Sequence, residues 1–261
     1  KATLITTPTA HSNGTLHSIK GGAVADFDVV RGSAATRVNA EGLIESVATN
    51  IPRIDYTTGE GVVLLEPQST NLMTYSEDFS NSSWAKTQTT IEATSITLPN
   101  GLTNGYKLFA SLSSGVSHWV EAFPFPAATA GLDYTLSLFV KSAGSDFIQV
   151  VASTGLPSKY QNFNISTGTK ASGDISGSSI TDFGNGWYRI SVTETTIATT
   201  ARYLIVPILS DVGRNATFTG NVNEDGVYVF GAQLEALPYA TSYIPTSGAI
   251  ATRLADSVTG A

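Results

Sequence analysis

The chain carries three histidines, His11, His17 and His118, and only His118 falls in a run that reads as regular structure. A serine nucleophile needs a positioned base and an oxyanion hole. No Gly-x-Ser-x-Gly elbow is present, and His118, just before Trp119 on an expected strand, reads as an ordinary strand-surface histidine. His11 and His17 lie in a polar N-terminal stretch. With no cysteine and no His-Glu-x-x-His pattern, the sequence offers no zinc site. Two carboxylates about 5–9.5 Å apart would suffice for glycoside hydrolysis. Glu66, Glu77, Asp78, Glu121, Asp133 and Glu235 are candidates, but nothing in the sequence joins any two of them, so no catalytic residue is assigned.

Binding chemistry is better supplied. A flat aromatic face stacks on the apolar CH face of a sugar ring while amides or carboxylates bond its hydroxyls. The aromatic candidates are Trp84, Trp119, Trp187, Tyr106, Tyr160, Tyr203 and Tyr239, with Gln149, Gln161, Asn162 and Asn164 as polar partners. Large sandwiches also bury aromatics as core, so context must separate the two roles. Trp119, in Ser117-His-Trp-Val-Glu121, and Tyr160, in Ser158-Lys-Tyr-Gln-Asn162, sit among polar residues. They are the expected glycan face, with Gln161 and Asn162 beside them. Asp211, Asp225 of Asn223-Glu-Asp225, and Asp256 could lend oxygens to a structural calcium ion, the one cofactor the pattern allows, although no twelve-residue EF-hand loop exists.

These side chains need a scaffold, and the composition points to strands. Charged residues are 13% of the 261, against about 25% in an average globular protein, and Ser and Thr fill roughly a quarter of the chain. A surface made polar by hydroxyls and amides suits antiparallel sheets wetted on their outer faces. Period-two alternation is clear in Tyr134-Thr-Leu-Ser-Leu-Phe-Val-Lys141, which puts Tyr134, Leu136, Leu138 and Val140 on one face. In Trp187-Tyr-Arg-Ile-Ser-Val-Thr193, Tyr188, Ile190 and Val192 share one face and Trp187, Arg189 and Ser191 the other. Further strands are expected at 87–91, 105–108, 116–123, 147–153, 159–164, 201–208 and 226–234, separated by Gly, Asn, Asp and Ser. Helical periodicity is weak and confined to 76–85. The expected fold is therefore all-β, an antiparallel β-sandwich of jelly-roll type. Residues 1–24 read as an extended arm, 25–65 as a small hairpin layer with turns at Asn39-Ala-Glu-Gly42 and Thr57-Thr-Gly-Glu60, and 66–261 as the sandwich.

The net charge of −7, with 14 scattered Lys and Arg, argues against nucleic acid, whose binding needs clustered cations. No apolar run approaches the ~18 residues of a membrane span, and no charged start followed by an apolar stretch marks a signal peptide. The absence of cysteine suits both reducing and oxidising surroundings. The sequence starts at Lys1, as an excised or processed piece of a longer protein would.

Two segments carry a family resemblance. Gly231-Ala-Gln-Leu-Glu-Ala-Leu-Pro-Tyr-Ala-Thr-Ser-Tyr-Ile-Pro-Thr246 echoes Leu64-Leu-Glu-Pro-Gln-Ser-Thr-Asn-Leu-Met-Thr-Tyr-Ser-Glu-Asp-Phe-Ser-Asn-Ser-Ser-Trp84. Together they resemble a family of β-sandwich domains of bacteriophage tail-fibre and other virion proteins that look like carbohydrate-binding modules of concanavalin A-like or jelly-roll type. The resemblance spans roughly 35–256 and implies that Trp84 and Trp187 are packing residues. It implies structural hydrogen bonding for Glu66 and Glu235, and a closing role for Thr252-Arg-Leu-Ala-Asp256, where Arg253 reads as the cap of an exposed edge strand. It further implies a non-enzymatic virion component, a homotrimer, contacting a cell-surface polysaccharide and other virion proteins. A purely structural assembly role and a polysaccharide depolymerase are the alternatives.

Overall fold

The computed structural model describes residues 6–12, 15–18, 27–221 and 223–259, and every regular element among them is a β-strand. The N-terminal part holds β1 (Thr6–Ser12), β2 (Thr15–Ser18), β3 (Phe27–Val30), β4 (Ala35–Val38), β5 (Ile44–Val47), β6 (Ile54–Asp55), β7 (Val62–Val63) and β8 (Ser69–Asn71). The stretch read as an arm thus contains two paired strands, and its residues 1–5, 13–14 and 19–24 lie outside the described ones. Both expected turns close hairpins, β4 with β5 and β6 with β7. At the first, the Asn39 side-chain oxygen accepts the amides of Glu41 and Leu43, and Gly42 takes a φ of 78° that disfavours a side chain.

The sandwich follows, built from β9 (Trp84–Thr87), β10 (Thr89–Thr94), β11 (Gly105–Ala110), β12 (Trp119–Ala122), β13 (Asp133–Ala143), β14 (Phe147–Ala152), β15 (Tyr160–Asn164), β16 (Thr169–Gly173), β17 (Gly177–Gly184), β18 (Trp187–Thr195), β19 (Tyr203–Ile208) and β20 (Gly226–Glu235). The chain passes repeatedly between two six-stranded antiparallel sheets. The first runs β10-β11-β20-β13-β18-β17 and the second β16-β15-β14-β19-β12-β9. Between them lies one core: Leu136, Leu138, Val140, Ile190, Val192, Val227 and Val229 from the first sheet meet Val120, Ile148, Val150, Phe163 and Ile205 from the second. The alternation of Tyr134 to Val140 points inward as its spacing predicts. Residues 76–85 form no helix; Phe79 and Trp84 stack at 4.7 Å within the core, and the Trp84 indole donates to the Tyr75 carbonyl. Trp187 is also core, its indole N–H donating to the carbonyl of Thr97.

The two echoing segments lie side by side. Buried Asn71 donates to the carbonyl of Ala232 and accepts the amide of Leu234. The Ser76 amide donates to the Thr246 hydroxyl, whose own amide donates back to the Ser76 hydroxyl. These bonds give each segment the polar partners that its irregular backbone lacks.

Two strands close the chain, β21 (Ala251–Arg253), paired with β8, and β22 (Ser257–Thr259), paired with β3. Two compact units result. One joins the residues up to Thr70 with Thr241–Ile244 and the stretch from Thr252 on; the other is the sandwich. The first unit has a small apolar cluster, around Val29 and Ile54, and a large ionic one. Arg31 reaches Asp256 at 2.9 Å, Arg53 reaches Glu66 at 2.7 Å and also bonds Asp256, and Arg253 lies 3.5 Å from Glu66. All three guanidiniums are buried. Arg253 therefore does not cap an exposed edge. On β21 the alternation turns Thr252 outward to the Thr70 hydroxyl and Arg253 inward to the carboxylates. The usual exposure of arginine gives way where carboxylates share the site. Glu66 does make the structural bonds expected of it, accepting both the amide and the hydroxyl of Ser242.

Burial pushes the Glu66 carboxyl up, but the Ser242 bonds and the charges of Arg253 and Arg53 outweigh it and hold it low. Asp256 follows the same pattern: burial raises it, and the bonds from Arg53 and Arg31 prevail. Both folded values are depressed, so their stabilisation is complete above the ordinary carboxylate range and is lost as pH falls through the lowered values. Asp256→Asn is expected to cost about 3 kcal/mol in urea unfolding, since it leaves buried arginines under-compensated, and to flatten the loss of stability in acid. Unchanged stability and an unchanged acid limb would contradict this role.

Candidate functional site

Period two decides which side chains the second sheet offers to its outer face. Val120, Ile148, Val150, Phe163 and Ile205 point into the core, so Trp119 and Glu121, Leu204, Val206 and Ile208, Phe147, Gln149 and Val151, and Tyr160 and Asn162 point out. Trp119 and Tyr160 come from β12 and β15, with β19 and β14 between them. They stand three strand spacings apart, roughly 14 Å. Both rings are half-buried, packed on a floor of Val151, Leu204, Val206 and Ile208. The Trp119 indole donates to Glu121 at 3.1 Å, and Glu121 in turn takes two bonds from Arg202. Arg202 also lies over the Phe125 ring, 5.0 Å from its centre. This chain of contacts fixes the indole plane.

The middle of the same face is roofed by the loop between β19 and β20. Val212 and Phe218 pack on the aliphatic floor. Asn162 donates to Asp211 and to the carbonyl of Val212, each at 2.6 Å. Gln149 donates to Asn162 and to the Gly213 carbonyl, and its oxygen accepts the Asn215 amide. Both amide side chains are fully buried. Their donors are all committed to protein, so they hold the loop rather than meet solvent. Gln161 does not share this face. It turns the other way with Phe163, donates to the carbonyls of Asn162 and Ala171, and accepts the Ser178 hydroxyl. The sequence expectation grouped Trp119, Tyr160, Gln161 and Asn162; the structure puts the two aromatics on one face, Asn162 beneath the loop, and Gln161 on the reverse side. Asn164 caps the turn after β15 by accepting from Ser166 and Thr167.

Asp211 remains exposed at the loop edge. The Asn162 amide, against a smaller effect of burial, and the Ser172 hydroxyl and amide hold its carboxyl below the usual range. It stays an ionised acceptor at neutral pH. Asp225 is bonded to the Asn221 side chain, and Asp256 belongs to the arginine cluster of the other unit. Among the described residues no group of three or more His, Cys, Asp or Glu gathers to hold a metal.

His118 is not a surface residue. It is fully buried, against the Phe218 ring, and its two ring nitrogens face the carbonyls of Gln88 and Phe218. Neither nitrogen is turned to a reacting group, so the ring ties the β9–β10 turn to the roofing loop. The carboxylates weighed for hydrolysis are similarly engaged: Asp78 by Tyr106 and Ser80, Glu121 by Arg202, Asp133 by Thr195 and Glu235 by Gln233. Tyr106 is thereby held by Asp78, and Tyr203 is buried with its hydroxyl on the Tyr134 carbonyl. Tyr239 alone of the tyrosine candidates is largely exposed, at 48%. It borders a groove on the first sheet whose floor strand, β17, is not among the strands expected from the sequence. Its signal was weak: one Ile among hydroxyls, on an edge strand whose pairing comes entirely from β18.

No protein family and no curated relative matches this sequence. Among solved structures it is similar to the enzymatically active domain of bacteriophage CBA120 tailspike protein 4, with a TM-score of 0.36 and 12% identity over 63% of this chain and 21% of that one. It is similar to a carbohydrate-binding module from Cellvibrio mixtus lichenase 5A in complex with cellotriose, with a TM-score of 0.32 and 12% identity over 66% of this chain and 97% of that one. A third is the module TmCBM61 in complex with β-1,4-galactotriose, with a TM-score of 0.33 and 11% identity over 63% and 97% of the two chains. The chain spans about a fifth of the tailspike domain and nearly all of either module.

Because Asn162 and Gln149 hold the roof, Asn162→Ala should cost about 1–3 kcal/mol by leaving buried partners unsatisfied. Hydrogen exchange should rise first in residues 211–218. Equal exchange in the loop and the strands would count against this anchoring.

Proposed function

We propose that this chain is a non-enzymatic adhesion domain of a bacteriophage virion, of tail-fibre type, that holds a host cell-surface polysaccharide through Trp119 and Tyr160. The observation that carries the reading is the placement of these two rings on one outer face, partly open and flanked by polar groups. Stacking needs such ring faces, and the Glu121–Arg202 pair and ionised Asp211 supply acceptors and donors at the borders. Asn162 then acts as a positioning residue that fixes Asp211. The net charge of −7 suits a neutral polymer at this face. Single sugar contacts are weak, so useful attachment requires several copies, for which a homotrimer is the arrangement we propose. The engagement of the candidate acids and of His118 by protein partners supports adhesion over hydrolysis.

One observation favours a second reading, a purely structural virion role without sugar. The roofing loop fills the centre of the face where a polymer would otherwise lie. The two readings part on a glycan array at high protein density: retained glycans support adhesion, and silence together with assembly dependent on the N-terminal strands supports scaffolding. Trp119→Ala and Tyr160→Ala should each lower glycan retention about tenfold with far-UV circular dichroism unchanged. Retention equal to the parent in both variants would remove the assigned face.

A further inference from the structure

A cavity lies within the N-terminal unit, between its two hairpins. Strand pairing sets Arg37 on β4 directly opposite Glu45 on β5. The Tyr56 amide donates to the Val38 carbonyl at 3.0 Å, which brings the start of the β6–β7 turn against the end of β4. Arg37, Asn39, Glu41, Glu45 and Tyr56 line the space so formed, which measures about 290 Å³. That is the small end of the roughly 300–1,000 Å³ usual for small-molecule sites, and it suits a single sugar unit better than a polymer. The Tyr56 ring is held in place. One step beyond the Asp55–Val62 pair it meets Gly61, where an added Cβ would stand 2.9 Å from the ring, and it packs on the Val29–Ile54 cluster. Part of its surface stays open.

The polar groups of the lining fall into two classes. Glu45 is used by the fold: one carboxylate oxygen takes two bonds from Arg37, at 2.6 and 2.5 Å, and the other takes the Asn39 amide at 3.1 Å. The Arg37 charge is thereby matched. Glu41 differs, because it is exposed at the tip of the first hairpin and is tied there through its backbone amide, which donates to Asn39. Among the described residues its carboxylate has no partner, the Tyr56 hydroxyl has none, and the Arg37 guanidinium bonds only Glu45. The lining thus holds one cation and two carboxylates, with one carboxylate in excess beside an aromatic ring. An excess carboxylate opposes an acidic ligand and favours an ammonium group. The ring attracts the same cation and offers a face to the CH surface of a sugar.

We propose that this cavity is a site for an amine-bearing sugar, a glucosamine unit with a free ammonium group, read by Glu41 and Tyr56 with Arg37 as a donor to its hydroxyls. The site is separate from the Trp119–Tyr160 face, and it stands whether or not that face binds sugar.

Titration calorimetry with a glucosamine trimer and with the same trimer fully N-acetylated tests it. The parent chain should bind the amine form at least tenfold tighter than the acetylated one, and more weakly as salt rises. The exposed Glu41 side chain supports no other group, so Glu41→Gln keeps the fold and should weaken binding about tenfold. Tyr56→Leu keeps an apolar side chain on the Val29–Ile54 cluster and should weaken it several-fold. Glu92→Gln removes an exposed carboxylate on β10 and should change nothing, as should Trp119→Ala and Tyr160→Ala. Equal affinity for the two trimers, no binding of the amine form, or indifference to Glu41→Gln would overturn the proposal. An equal loss in Glu92→Gln would reduce the binding to general attraction by an acidic chain, and loss in Trp119→Ala would assign the sugar to the other face; either result overturns it.

Discussion

Two six-stranded sheets sharing a single core leave each sheet only its outer face outside that core. Because side chains alternate along every strand, the inward commitment of Leu136, Leu138, Val150 and Ile205 fixes which neighbours must point out. The two outer faces then differ in kind. Behind the second sheet, Val151, Leu204, Val206 and Ile208 form an apolar strip that water would penalise. At the β17–β18 end of the first, Ser179, Thr181, Ser191 and Thr193 form a polar floor that needs no cover.

That difference accounts for the roofing loop. About 25 cal/mol for each Å² of apolar surface favours covering the strip, and Val212 and Phe218 do so. A loop folded over a sheet must satisfy its backbone, and Gln149 and Asn162 supply the buried amides that do this. Side chains of a type that could bond sugar hydroxyls are thereby used to hold the fold. Open ring surface is left only at the margins of the strip, at Trp119 and Tyr160, and the polar floor of the other sheet stays uncovered.

The N-terminal unit is stabilised by a different balance. Its apolar cluster is small, and three arginines converge on Asp256 and Glu66. Burying that many charges is tolerable only when each carboxylate receives several donors, as Asp256 does from Arg31, Arg53 and the Glu66 amide. The ligating carboxylates come from β7–β8 and from the chain's last turn, so the network also fastens the C-terminal stretch to the first strands.

Much of this could be read before the fold was known. The alternation in residues 134–141 and 187–193 determined the strands and their inward faces, and the hydroxyl-rich composition determined an antiparallel, outwardly polar architecture, because both follow from local periodicity. The hairpins at Asn39–Gly42 and Thr57–Glu60 were legible from turn chemistry. Tertiary structure alone decided the rest. Whether Asn162 faces sugar or a loop, whether His118 is wet or buried, whether Arg253 caps an edge or joins an ionic cluster, and that Arg189 and Tyr239 border one groove all depend on residues distant in the chain. Such pairings are set by which sheet each strand joins, and a single sequence carries no local signal for that.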